Sequence, residues 1–172
     1  MPGEIYKTRM AIVIPFSLAV ITLFTLWIIS LLTSPLPYER LVIGALFFVA
    51  FFFFLETFFR NFVISSEGLV IRKFFRSKKL KWEEITHLGL LVLDRKAFAL
   101  LTTTKGFHIL SNNLSNFSEI LRRIKEGLGD EKVDAQVASF IEHPLINNRP
   151  VRSAWLVVVI TVAIIALRVY SL

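Results

Sequence analysis

The chain contains no cysteine, which removes thiol nucleophiles, disulfide staples and cysteine-ligated zinc from the chemistry open to it. Its histidines, His87, His108 and His143, have neither metal-ligand spacing nor paired carboxylates, and no P-loop, Gly-x-Gly-x-x-Gly or Ser-His-Asp arrangement can be assembled. No metal, cofactor, small-molecule substrate or enzymatic activity is therefore expected. Charge is scarce as well: charged residues make up 19% of the 172 positions and hydrophobic ones 55%, too apolar a balance for an ordinary soluble domain. The charges that remain are bunched, and the gaps between bunches are long.

Met10 to Leu32 carries no charge, and Leu41 to Phe59 carries one, Glu56. Each is close to the roughly 20 residues a helix needs to cross about 30 Å of hydrocarbon. Pro15 lies in the first turns of the first segment, where a kink is tolerable, and residues 34–40, Ser-Pro-Leu-Pro-Tyr-Glu-Arg, read as a tight turn back. Lys7 and Arg9 ahead of an apolar run could mark a secretory signal, but the run is too long and no small-residue cleavage site follows Leu32. Ser153 to Leu167 is short for a span; Arg152 and Arg168 can snorkel and Trp155 and Tyr170 can sit at interfaces, so a third crossing is expected, with a buried or re-entrant helix as the alternative. The Lys/Arg bias predicts that the N-terminus and the segment after Arg60 face the cytoplasm.

Between the spans the pattern changes. Phe62–Ser65, Leu69–Phe75, Leu80–Ile85, Leu88–Leu93, Ala97–Thr103 and Gly106–Leu110 are rich in Val, Ile, Phe and Trp and are separated by turn sequences, which predicts a closely connected antiparallel sheet. Phe117, Ile120, Leu121, Ile124 and Leu128 then recur at helical spacing, with Arg122, Arg123, Lys125 and Glu126 on the other side. Asn116 and Glu119 have the spacing of a capping pair, and Gly127 and Gly129 are expected to stop the helix. A second amphipathic turn or two, with Val133, Val137, Phe140 and Ile141, precedes the linker at His143-Pro144.

This order resembles the bacterial pleckstrin-homology-like domains found attached to membrane helices. The likeness rests on VISSEGLVIRKFF (63–75), the basic KKLKWEEI (78–85) and the closing NFSEILRRI (116–124), and it covers roughly residues 61–128. It implies an α+β chain: three transmembrane helices with a small PH-like split β-barrel capped by a C-terminal amphipathic helix. The boundaries expected are a transmembrane hairpin over 1–60 with helices at about 10–32 and 41–59, the cytoplasmic domain over 61–129, a short helix and linker over 130–150, and a third transmembrane helix over 151–172. Phosphoinositide binding does not carry over, because the turn between the first two strands, Ser65-Ser66-Glu67-Gly68, holds an acid and no base.

The bases lie one turn later. Arg72, Lys73, Arg76, Lys78, Lys79 and Lys81 place six cations in ten positions with no acid among them. If the first strand leaves the bilayer directly from Arg60, the second returns toward it and sets the turn at 76–79 near the headgroups, where each base contributes about 1 kcal/mol against an anionic leaflet. The cluster is thus a candidate surface for membrane lipid or a partner; lysines guarding a sheet edge would explain it more plainly. Nucleic acid is a poor fit, since no recognition motif appears. Glu56 is an ionisable residue within a span and so a functional candidate, although Arg60 four residues later gives it an ordinary partner. The phenylalanines at 47, 48, 51–54, 58 and 59 surround the second helix, where they suit lipid contact and packing against other integral membrane proteins alike. The expectation is a non-enzymatic bacterial inner-membrane protein presenting a binding domain at the cytoplasmic surface, an accessory or scaffolding subunit. The alternatives are a stand-alone anionic-lipid sensor and a subunit of a transporter or membrane enzyme.

Overall fold

A computed structural model describes residues 3–170. The chain is α+β and forms two compact units, one of Met10–Phe58 with Asn148–Leu172, the other of Met1–Arg9 with Phe59–Asn147.

The first unit is helical: α1 (Met10–Thr33), α2 (Pro37–Phe59) and, last in the chain, α5 (Arg149–Tyr170). All three are long and apolar enough to cross a membrane, which makes this a multi-pass membrane protein. Helix α2 begins at Pro37, earlier than residue 41, because proline at the first helical position gives up only an N–H that has no helical partner. The loop is thereby cut to Ser34–Leu36, where Ser34 Oγ donates to Glu39 and the Arg40 guanidinium donates to the Ser34 carbonyl. The third segment, expected to be short, gains a turn from its polar flank: α5 has 22 residues, about 33 Å at 1.5 Å per residue. Arg168 in its last turn pairs with Glu39, so α5 ends beside the loop that joins α1 to α2. Helices α1 and α5 pack closely, whereas α1 meets α2 through rings: Trp27 stacks on Phe47 at 5.6 Å and Phe16 meets Phe54 edge-on at 5.8 Å. Gly44 makes room for this, since a Cβ there would lie 2.7 Å from Trp27 Nε1.

The second unit holds two antiparallel sheets. One has the order β1 (Glu4–Lys7), β2 (Asn61–Ser65), β3 (Gly68–Arg72), β4 (Ser77–Lys81); the other has β5 (Ile85–Leu93), β6 (Lys96–Thr103), β7 (Gly106–Ser111). They are separate sheets, so the expected barrel is not closed. The break falls where a continuous strand over Leu80–Ile85 was expected: Trp82–Glu84 form a 3-10 turn, capped by Glu84 accepting from the Lys81 N–H at 3.1 Å, which redirects the chain from β4 into β5. At another edge the end of β1 is tied to the segment that follows β7 by the Thr8–Leu114 bridge and by the Ser115 N–H donating to the Lys7 carbonyl.

Strand β1 precedes the first membrane helix and pairs with β2, which follows the second, with Lys7 opposite Asn61 and Tyr6 opposite Phe62. The ends of the hairpin therefore lie on the same side of any membrane it crosses. Burial and a hydrogen bond to Glu4 push the Tyr6 phenol up to about 12.

Inward residues of both sheets, including Phe62, Leu69, Leu80, Leu88 and Leu101, share one core with α3 (Phe117–Leu128) and α4 (Ala135–Glu142). Phe117, Ile120, Leu121 and Ile124 of α3 are buried, as their spacing requires. The ends of α3 differ from expectation. Asn116 takes a left-handed conformation and makes no side-chain cap, while Glu119 turns to Arg122 and Arg123. Gly129 ends the helix, but Gly127 lies within it, where an added Cβ would come 2.7 Å from the Trp82 ring.

Candidate functional site

Strand register defines two ends of the sheet unit. Lys7 opposes Asn61 and Asn61 opposes Arg72, so the end of β1, the start of β2 and the end of β3 lie side by side. Arg9 donates to the Asn147 carbonyl at 3.2 Å, and Asn112 Nδ2 donates to the carbonyls of Arg95 and Leu145. The chain therefore leaves the unit at Arg9, Arg60 and Asn147 from one end, which also carries the β3–β4 loop and the Asp94-Arg95 turn. The Ser66-Glu67 turn and the turn at 104–105 lie at the other end.

All six bases of the 72–81 cluster are exposed, but they do not form one patch. Arg72, Lys73 and Arg76 surround the loop at the exit end. Lys78, opposite Ile71, and Lys79, opposite Val70, lie on opposite faces of β4. Lys81 pairs with Gly68 near the far end, four residues or about 13 Å from Ser77. Strand β4 is also a sheet edge, so Lys79 and Lys81 suit the protection of an open edge.

The loop itself, Lys73-Phe74-Phe75-Arg76, is closed by the Lys73 N–H donating to the Arg76 carbonyl at 2.7 Å. Phe74 packs on Phe59, which belongs to the same compact unit, with ring centroids 5.1 Å apart. Phe75 meets Phe74 edge-on at 4.1 Å and remains 76% exposed. The sequence pattern places both phenylalanines inside a strand and does not show them as a tip. Arg95, in the neighbouring turn, and Lys96, which opens β6, were missed too; tracing β5 and β6 from the direction of β4 would have placed them at this end.

His108 faces inward from β7, and its Nε2 is buried without a hydrogen-bond partner. Burial, and then the charges of Lys78 and Lys73, hold its imidazole below the usual range. The unfolded chain thus takes up a proton at His108 at higher pH than the folded chain does. The associated stability is present above the unfolded value of about 6.5 and is lost as pH falls through the folded one. Melting temperature is expected to drop between about pH 7 and 5, and His108→Gln to flatten that drop. An unchanged slope in the variant would show that His108 is not its source. Glu56 is half-buried in the last turn of α2, and no group of three or more His, Asp or Glu among the described residues could hold a metal ion.

The outer face of the second sheet is apolar. Leu91 pairs with Phe98 and Leu100 with Ile109, and Phe107 follows along β7. Phe107 is 71% and Ile109 55% exposed. Period-2 alternation in β7, with Leu110 inward and Phe107 and Ile109 outward, could have shown this face in the sequence. Comparison of the chain with protein families, with curated proteins and with solved structures finds no match.

Proposed function

We propose that this chain is a non-enzymatic, multi-pass protein of the bacterial inner membrane that presents a PH-like domain at the cytoplasmic surface, as an accessory or scaffolding subunit of a membrane complex. The PH-like reading is supported by the order of short antiparallel strands followed by an amphipathic helix that fills the core between them. The binding role is carried by the apolar outer face of β5, β6 and β7. Isolated exposed apolar residues are ordinary, but Leu91, Phe98, Leu100, Phe107 and Ile109 sit on one face in adjoining registers, a pattern that marks interaction surfaces. The occupant this reading assigns is another membrane protein.

The test is purification of the full chain from native membranes in mild detergent, beside a Phe107→Glu/Ile109→Glu variant. Both side chains point away from the core, so the variant is expected to keep its fold and lose a stoichiometric partner that the wild type retains. A wild-type chain that migrates alone would favour the second reading, a stand-alone anionic-lipid sensor, for which the basic β3–β4 hairpin is the supporting observation.

A further inference from the structure

The β3–β4 loop breaks a rule of turn chemistry. Hairpin tips favour Gly, Asn, Asp and Pro, which tolerate the backbone and leave nothing apolar in water. Here the tip is Phe74-Phe75, flanked by Arg72 and Lys73 on one side and Arg76 on the other. A local choice that opposes its surroundings marks a place where function outweighs stability. Phe74 is partly covered by Phe59, while Phe75 projects with most of its surface open. The tip shares the end of the unit from which the chain continues directly at Arg9-Met10 into α1 and, through Asn147-Asn148, into α5; the same end receives the chain from α2 at Phe59-Arg60. No linker separates this end from helices of membrane-spanning length.

We propose that the Phe74-Phe75 tip is a membrane wedge, with the Phe75 ring entering the interface of the adjoining leaflet while Arg72, Lys73 and Arg76 bind the phosphates of anionic lipid. Aromatic rings favour the headgroup level, and bases close to an anionic surface are attracted to it over about a Debye length. The site lies at the opposite end of β3 from the Ser65–Gly68 turn, and so is separate from the acid-bearing turn that argues against phosphoinositide binding. The occupant is a bilayer rather than a protein because the ring and the three bases meet at the end where the chain enters its apolar helices. The wedge rests on the membrane-spanning reading of α1, α2 and α5 and is independent of any partner on the second sheet.

Absence of cysteine makes the test clean. A nitroxide on Phe75→Cys and, separately, on Ser66→Cys would be unique labels on the full chain in nanodiscs of phosphatidylcholine with phosphatidylglycerol. The label at 75 is expected to be at least about fivefold less accessible to a water-soluble relaxant than the label at 66, and Arg72→Gln, Lys73→Gln and Arg76→Gln are each expected to weaken that protection by on the order of fivefold. Amide exchange of residues 73–76 in the unsubstituted chain supplies a readout that does not depend on replacing the ring: protection should rise on transfer from detergent into anionic nanodiscs. Equal accessibility at 75 and 66 together with unchanged exchange would overturn the wedge. So would protection seen in a detergent-solubilised complex and absent from nanodiscs, which would assign the tip to a protein partner.

Discussion

Replacement of Gly68 by alanine is expected to unfold the sheet unit while leaving the three long helices in the membrane. Gly68 has φ +143°, a conformation side chains resist, and it sits where β2 turns into β3 and β3 pairs with β4. A Cβ at this position would lie 2.1 Å from the Leu80 carbonyl oxygen and 2.9 Å from Lys81 Cα. Both atoms are backbone, so relief requires the β3–β4 ladder to move. Strain of about 1–3 kcal/mol from the conformation adds to a similar overpacking cost, and the sum approaches the net stability of a small domain. Gly106 is the internal control: its φ is +124°, but a Cβ added there would meet nothing within 4 Å. Gly106→Ala should therefore show the conformational part alone, about 1–3 kcal/mol. Amide exchange at Phe62 and Leu69 in the full chain reads both, and a Gly68→Ala protein as protected as the Gly106→Ala one would show that the clash is relieved.

Truncation of Ile124 to alanine is expected to cost about 2–5 kcal/mol, as large-to-small changes in packed cores do. Ile124 is fully buried, on the face that α3 turns into the core it shares with both sheets and α4. Thermal unfolding followed by the tryptophans would report it, because Trp82 lies against the same helix at Gly127. A shift no larger than that of an exposed substitution such as Glu126→Ala would mean that α3 is not a structural part of the core.

The α3 face was legible in the sequence because one helix carries its whole signal locally, at three- and four-residue spacing. Helices α1 and α2 were legible for the same reason, as long apolar runs with at most one charge inside, and so were β2, β3, β5, β6 and β7. Strand β4 was expected three residues too late, because the polar Ser77-Lys78-Lys79 that opens it reads as a turn. Strand β1 was not. Glu4-Ile5-Tyr6-Lys7 places two apolar residues between charges, and what makes it a strand is β2, on the other side of two membrane helices. The break at Trp82–Glu84 was hidden because Leu80 and Ile85 are both buried, and only the capped turn between them shows that they serve different sheets. As for the candidate surface, the sequence showed a run of six bases and the structure divided it. Register placed three of them around a phenylalanine tip and set Lys81 near the other end of the strand.

The shared ladder of β1 and β2 also constrains how the protein is made. The N-terminal strand emerges from the ribosome first and has no partner until both helices of the hairpin have been synthesised and threaded. If either helix failed to insert or the hairpin were only half inserted, β1 and β2 would be left on opposite sides of the bilayer, and β2 would keep a bare edge of the kind that invites aggregation and proteolysis. Completion of the sheet thus doubles as a check on insertion, made by the chain itself before the last helix enters the membrane.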